Sequence, residues 1–259
     1  MLNPIEEAKF AELKEKCREL GVPAPLEIHI GLLVKDRNGD VIFDDKQRGH
    51  SWTRNWYNHL LGLAGAYATG ATYGAGHISA KDVDGTVYGT TSVGSGAFPV
   101  GQVLTTYGYP GYVRGLANSN LSGIVVGTGD TAFSANQFTM AAIIAHGTGA
   151  GQFVYNLGGE PSANYDDSAG SEKWTITLAR IFNNNSGNAV VVKETGLISM
   201  HYTEPNNQRS VARFFRTSSV TFAVYYLDER SVLSPTVNVP NGAQLTVTYE
   251  ITMDFSAID

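Results

Sequence analysis

The chain has 259 residues, of which 42% are hydrophobic and 16% charged, and its formal net charge is -6. This composition supports a buried core and excludes a disordered chain, and the acidic balance gives no electrostatic reason to bind nucleic acid. The single cysteine, Cys17, excludes an intrachain disulfide and a multi-cysteine zinc site. The first residues are charged throughout and no apolar run approaches the length of a membrane span, so we expect a soluble chain made in a cytoplasm.

The first predicted element is a helix before Gly21. Asn3 is placed to cap it, Pro4 to occupy its first position, and Gly21 and Pro23 to end it. Its apolar side chains form one narrow stripe, which consists of Phe10, Leu13, Cys17 and Leu20. Such a stripe either docks on the body of the chain or packs on a partner copy, since it is as narrow as the seam of a coiled coil. We therefore treat residues 1–24 as a helical arm and the stripe as interface candidates.

A β-hairpin and a second helix are predicted next. Leu26, Ile28 and Ile30 alternate with polar residues, and Asn38-Gly39 favours a type I′ turn. In residues 51–68 apolar side chains recur at helical spacing, with Ser51 as the N-cap. We expect this stripe to pack in the core, and its members are Trp52, Trp56, Leu60, Leu63 and Tyr67.

The segment from 70 to 118 is rich in glycine and has little periodicity. A loop of that length is unusual in a compact domain, so it either contains short strands or is an exposed excursion that contacts another molecule. Sugars stack on aromatic rings, which makes its tyrosines candidate contacts for a host surface glycan. They are Tyr73, Tyr88, Tyr107, Tyr109 and Tyr112.

From Ser122 onwards, short strand patterns alternate with turn clusters. Strands are predicted in SGIVVG, GQFVYNL, KWTITLARIF, AVVVKETGLISMHY (a strand pair broken at Gly196), RSVARFFR, SVTFAVYYLDE and AQLTVTYEITMDF. A polar loop is expected around Asp166, and turns at Asn183 to Gly187 and Pro240 to Gly242. The fold class is therefore mainly β, with a β-sandwich or jelly-roll-like body over residues 25–259, an N-terminal helix and one further short helix.

The glycine-rich runs GTGD (127–130) and GTGAG (147–151) raise the question of a nucleotide site. A phosphate loop needs a helix after it, whereas a predicted strand follows here, and no Gly-Lys-Ser/Thr occurs in the chain. We interpret these glycines as turns where backbone passes close to backbone. GHSWT at 49–53 resembles the nucleophile elbow of hydrolases, but HGTG at 146–149 follows it instead of preceding it.

Carboxylates leave two more alternatives. Those that could belong to a loop calcium site are Asp82, Asp84, Asp166 and Asp167, although their spacing is not that of an EF-hand. Glu194 and Asp228 are the pair to check for a glycosidase groove, and Glu194 after Lys193 is more typical of an exposed strand pair. The six histidines lack the spacing of a zinc site. We therefore assign no catalytic, cofactor-binding or metal-ligating residue.

Three segments follow one another in a recognisable order: IVVGTGDTAFSANQFTMAAIIAHGTGAG, WTITLARIFNNNSGNAVVVKETGLI and LDERSVLSPTVNVPNGAQLTVTYEI. Together with the aromatic segment SWTRNW at 51–56, they resemble a family of tailed-phage virion proteins. The resemblance covers roughly residues 45–255, apart from 70–118. It implies a structural component of the particle that is located in the virion and has copies of itself and other virion proteins as partners.

The resemblance brings no catalytic residue and leaves the position in the particle open. Tail, neck or collar, and capsid surface are all compatible with it, and we favour a tail or collar position. The alternatives are a receptor- or glycan-binding module and, as an enzyme, a polysaccharide depolymerase.

Overall fold

The computed structural model describes residues 4–22, 25–50, 52–63, 73, 79–88, 113–168, 172–203 and 222–255. These residues form a mainly β protein with a β-sandwich-like body and an N-terminal helix. The helices are α1 (Pro4–Glu19) and α2 (Arg54–Leu63). The strands are β1 (Glu27–Lys35), β2 (Val41–Arg48), β3 (Ala80–Lys81), β4 (Val87–Tyr88), β5 (Gly123–Gly127), β6 (Val154–Tyr155), β7 (Ser162–Asp166), β8 (Lys173–Asn183), β9 (Val190–Thr203), β10 (Phe222–Val239) and β11 (Gln244–Asp254). Within the described part of the chain, neither helix has the length and apolar character needed to cross a membrane.

Two antiparallel sheets make the sandwich. Sheet A has the order β2-β1-β11-β8-β6, with β7 also paired to β8, and sheet B has the order β10-β9-β5. After β1 and β2 in sheet A, the chain adds β5 to sheet B and returns to sheet A for β6, β7 and β8. It then enters sheet B again for β9 and β10 and returns to sheet A for β11. Successive side chains of a strand point to opposite faces, so every second residue enters the core. The core therefore draws on both sheets, for example Ile30, Val247 and Phe182 from sheet A and Leu197 and Val237 from sheet B.

The predicted β1–β2 hairpin is confirmed, but its turn is different from the one expected. A type I′ turn needs positive φ at both central residues, whereas Gly39 has φ +91 and Asn38 is not in the left-handed region. The carboxylate of Asp36 instead accepts hydrogen bonds from the backbone N–H groups of Asn38 (2.8 Å) and Asp40 (3.0 Å). The side chain of Asp36 therefore closes the turn.

Helix α1 ends, and helix α2 begins, close to the predicted positions. Gly21 has φ +64, and the N–H of Val22 donates to the carbonyl of Cys17, which ends α1 as expected. Helix α2 begins at Arg54, three residues after the expected start. Trp52 is buried and its ring stacks on Trp56 at a centroid distance of 4.2 Å, so its core role is confirmed. Outside the described residues or side chains lie Asn3, Pro23, Ser51, Leu60, Leu63 and Tyr67.

Two strand predictions and one loop prediction are wrong in detail. β9 continues unbroken through Gly196, where a Cβ atom would come within 2.5 Å of the Met140 sulfur. The expected polar loop around Asp166 is strand β7. β10 extends to Val239, and two register shifts along it disrupt the alternation that marks a strand in sequence.

The segment from 70 to 118 contains short strands, which was one of the two alternatives predicted for it. β3 and β4 pair as a hairpin within residues 79–88. Residues 89–112 and the predicted strand RSVARFFR lie outside the described residues.

Candidate functional site

Helix α1 contacts the outer face of sheet A through its charged side. The guanidinium of Arg48 donates two hydrogen bonds of 2.7 Å to the carboxylate of Glu7, and lies 4.0 Å from the centroid of the Phe10 ring. The ammonium of Lys14 pairs with Glu27 and lies 3.7 Å from Asp254. The hydrogen bond from Arg48 is the largest cause of the lowered pKa of Glu7. Ion pairs and one cation–π contact thus hold the helix on its own sheet.

The predicted stripe of α1 is divided by this arrangement. Phe10 and Cys17 are half-buried, while Leu13 is 42% exposed and Leu20 is 76% exposed. The stripe therefore docks on the body at Phe10 and is presented to solvent at the two leucines.

The predicted glycan-contact tyrosines are mostly beyond what the structure describes. Tyr107, Tyr109 and Tyr112 and the side chain of Tyr88 lie outside the described residues. Tyr73 is half-buried, and burial raises the pKa of its hydroxyl to about 12. It is therefore not a freely projecting ring.

A buried ion pair lies at the point where the three segments of the resemblance meet. Glu194 of β9 and Arg230 of β10 are both fully buried, and Arg230 Nε donates to Glu194 Oε2 at 2.5 Å. The carboxylate also accepts hydrogen bonds from the backbone N–H groups of Gly129 (3.1 Å), Ala141 (3.2 Å) and Ala142 (2.7 Å). Glu194 thus holds both ends of the loop 128–142, and the prediction that it is exposed is wrong.

Arg230 holds the middle of the same loop. Its Nη1 donates to the carbonyl of Thr131 at 2.9 Å and to the side-chain oxygen of Gln137 at 3.2 Å. We call Glu194 and Arg230, with these loop contacts, the loop lock. A buried charge costs several kcal/mol unless it is paired and hydrogen-bonded. The lock pairs its two charges and binds backbone groups of the loop, while Arg230 Nη2 is buried without a hydrogen-bond partner among the described residues.

The glycines of GTGD are required by the loop lock. A Cβ atom on Gly127 would lie 2.4 Å from Glu194 Oε1, and one on Gly129 would lie 2.6 Å from the same atom. Gly147 and Gly151 have positive φ, and strand β6 follows them. The interpretation of these glycines as close approaches and turns is confirmed. At Gly127 and Gly129 the group that approaches the backbone is the buried carboxylate of Glu194.

The aromatic segment 51–56 anchors the loop from its other side. The backbone N–H of Arg54 donates to the carbonyl of Ala135 at 2.7 Å, and its side chain donates to Asn136 at 2.6 Å. The side chain of Asn55 pairs with both backbone groups of Lys81 as a neighbouring strand would. This segment therefore connects the loop, the β3–β4 hairpin and sheet B.

Asp228 and Glu229 are buried side by side at a β-bulge. Asp228 lies under α2, where Ser199 donates to it and the Nδ1 atom of His59 lies 3.8 Å away. Glu229 faces sheet A and accepts hydrogen bonds from the hydroxyls of Tyr249 (2.7 Å) and Ser231. Burial raises the pKa of each carboxyl to about 7. Since Asp228 and Glu194 are both inaccessible to solvent, the two do not form the glycosidase groove considered from sequence.

Arg180 of β8 is a buried cation that sequence reasoning did not single out as functional. Its guanidinium donates to five backbone carbonyls and, among the described residues, to no carboxylate. The acceptors are the carbonyls of Leu116, Ser119, Ser122, Ile124 and Asn156. Burial lowers its pKa to about 10. The available signal was its position on the apolar face of a predicted strand. Arg180 fixes residues 116–124 on sheet A.

Two of the four calcium candidates, Asp82 and Asp166, accept hydrogen bonds within their own turns. Asp82 accepts hydrogen bonds from the backbone N–H groups of Asp84 (3.1 Å) and Thr86 (2.7 Å), and Asp166 accepts one from the hydroxyl of Ser168 (2.6 Å). Across the described ranges, no three His, Cys, Asp or Glu residues are grouped so that they could hold a metal ion. The structure therefore does not support a calcium site at these carboxylates.

Comparison with known proteins gives no relative on which to base an assignment: no family model matches this chain, and neither the curated proteins nor the solved structures provide a match.

Proposed function

We propose that this chain is a non-enzymatic structural component of a tailed-phage particle, which assembles through repeated protein–protein interfaces. One observation carries the proposal. The segments of the resemblance contribute Gly129, Glu194 and Arg230, and these meet in the loop lock. Their chemistry is used to hold backbone in place, which supports a structural role for this motif.

The loop 128–142 is suited to a rigid interface. It is irregular, yet contacts from Glu194, Arg230 and Arg54 fix it, and the ammonium of Lys81 lies 3.8 Å from the centroid of the Phe138 ring. Most of its solvent-exposed side chains are small, and these include Thr131, Ala132, Ser134, Ala135, Thr139 and Ala141. Small side chains on a fixed backbone lose little conformational entropy when they are covered, so such a loop favours protein association.

The first test asks whether the chain is in the particle. Mass spectrometry of purified particles should detect it at a fixed stoichiometry, and native mass spectrometry of the isolated chain should show a defined oligomer. A version that begins at Gly21 should lose that oligomer if α1 couples the copies. Absence of the chain from particles would refute the proposal.

The second test addresses the loop directly. Ala132→Arg and Ala135→Arg place long charged side chains on its exposed surface and should block incorporation into particles while leaving thermal unfolding unchanged. Ala189→Arg is the matched control, since Ala189 is also exposed but lies in the turn between β8 and β9. Incorporation of both loop variants at the control level would exclude the loop as an interface.

A further inference from the structure

A thin layer of chain covers the outer face of sheet B beside the loop lock. It consists of α2 and the β3–β4 hairpin, and we call it the helix–hairpin layer. The side chain of Asn55 pairs with both backbone groups of Lys81 at 2.8 Å. Asn58 of the same helix donates to the carbonyl of Ser79 at 2.8 Å. Two side chains of the helix thus take the place of a strand beside β3, so the helix and the hairpin form one unit.

The layer is attached to β10 mainly by polar groups. The N–H of Thr53, just before α2, donates to the carbonyl of Asp228 at 2.7 Å, and its hydroxyl donates to the carbonyl of Leu227 at 2.6 Å. The N–H of Val83 donates to the carbonyl of Tyr225 at 2.9 Å. The apolar cluster between the layer and the strand is small and, in the described part of the chain, consists of Ala80, Val224 and Tyr226. Docking of the layer therefore depends on the state of the polar groups that it covers.

The group whose state can change is the carboxyl of Asp228, a residue that is 1% exposed. It accepts a hydrogen bond from Ser199, but its Oδ1 atom is buried without a hydrogen-bond partner among the described residues. The Nδ1 atom of His59 in α2 lies 3.8 Å from that oxygen, which is too far for a hydrogen bond. Glu194, by contrast, is compensated by Arg230 and three backbone N–H groups. An ionised carboxylate without such donors is costly to bury, so the neutral, protonated form of Asp228 is favoured.

The surrounding elements place other titratable and charged groups around this carboxyl. Arg54 of α2 and Lys81 of β3 direct their cations to the loop 128–142. Asp82 accepts hydrogen bonds within its own turn, and Glu229 points to the opposite face of β10, towards sheet A. The remaining groups are uncharged phenols, namely those of Tyr73 and Tyr226. None of these groups supplies the carboxyl with a counter-charge at hydrogen-bond distance.

We propose that docking of the helix–hairpin layer on sheet B takes up a proton at Asp228, so that rising pH loosens the layer while the sandwich stays folded. The outer face of sheet B then becomes accessible by a local opening, without global unfolding. This inference does not rest on the proposed function, since it concerns a conformational equilibrium of the chain itself.

The direction of the effect follows from the two states of the carboxyl. Burial raises the pKa of Asp228 from its ordinary value of 3.8 to about 7 in the docked state, and opening of the layer returns the pKa towards the lower value. Between these values the docked state holds a proton that the open state has released. Docking therefore weakens as pH rises, and the contribution of the proton is lost above about 7. The docking equilibrium changes by at most about tenfold for each pH unit.

Hydrogen exchange of the full chain, followed by mass spectrometry between pH 5 and 8, measures the opening. Protection factors, which correct for the pH dependence of intrinsic exchange, should be lower in peptides of α2 and the β3–β4 hairpin than in β11. Relative to Asp228→Asn, protection of the layer in wild type should fall by up to about tenfold per pH unit between pH 5 and 7, since Asn resembles the protonated side chain and cannot ionise. The comparison also cancels the titration of His59, which the opening exposes in both proteins.

Glu229→Gln is the matched control, because Glu229 is the adjacent buried carboxyl but faces sheet A. It should change the pH dependence of protection in β11, which reports global unfolding, and leave that of the layer unchanged. Equal protection in the layer and in β11, or equal effects of the two variants on the layer, would mean that the layer opens only with the whole fold and would overturn the proposal.

Ser199→Ala provides a second and milder variant. The hydrogen bond from Ser199 lowers the pKa of Asp228, so its removal should raise the pKa of the carboxyl. Protection of the layer should then continue to fall to a higher pH than in wild type. An end point that is unchanged or lies at lower pH would overturn the assignment of the proton to Asp228.

Discussion

Replacing Glu194 by Gln is the most informative perturbation of the fold. The carboxylate accepts hydrogen bonds from three backbone N–H groups and from Arg230. In Glu194→Gln one oxygen becomes an N–H₂ donor, which faces other donors, and Arg230 loses its counter-charge in a fully buried site. Breaking a buried pair in this way costs about 3–5 kcal/mol. The melting temperature should fall by roughly 10 °C, at about 2–4 °C for each kcal/mol in a chain of this size.

The assay is urea denaturation followed by tryptophan fluorescence, with hydrogen exchange at the amides of Gly129, Ala141 and Ala142. Exchange at these amides should accelerate more than in the sheets, because Glu194 is their acceptor. Lys193→Gln is the matched control: its pair with Asp130 is exposed, so its loss should change the free energy of unfolding by less than about 0.5 kcal/mol. A cost below about 1 kcal/mol for Glu194→Gln, or unchanged exchange in the loop, would refute the reasoning.

Three further predictions follow from the other buried groups. Arg180→Lys provides only three N–H donors for the five carbonyls that Arg180 binds, so it should lower the free energy of unfolding by at least about 2 kcal/mol. Urea denaturation measures this, and the exposed control Arg18→Lys should show little change. Gly129→Ala should destabilise the chain and accelerate proteolysis within the loop, because its Cβ would overlap the Glu194 carboxylate; equal digestion of variant and wild type would contradict this. Burial raises the pKa of Asp228 and Glu229 to about 7, so the folded state binds protons that the unfolded state has released, and stability should fall as pH rises from about 5 to 7. Calorimetry between pH 5 and 7 should show that the stability of Asp228→Asn depends less steeply on pH than that of wild type, by up to about 1.4 kcal/mol for each pH unit, and an identical slope would exclude the assigned cause.

The regular part of the fold could be predicted because its signals are local. KWTITLARIF forms a strand as predicted, and Gly21 ends α1 by the geometry that only glycine adopts easily. β7 was missed because its residues are nearly all exposed, so SANYD shows no alternation. The extent of β10 was missed because its bulges interrupt the period of two.

The loop lock could not be predicted because its partners are distant in sequence. Glu194 next to Lys193 has the pattern of a solvent-exposed strand, and nothing local shows that Arg230 lies against it or that a loop covers both. The glycines at 127 and 129 were the one usable signal, since they indicated a close approach without naming the group approached.

Arg180 has a consequence for how this chain can diversify. Four of its five carbonyl contacts fix residues 116–124 on sheet A, and Asn55 fixes the hairpin that ends at Tyr88. Entry and exit of the intervening 89–112 stretch are thus secured independently of its content. Changes in the length and composition of that stretch, whether natural or engineered, should therefore leave the register of the sandwich unchanged.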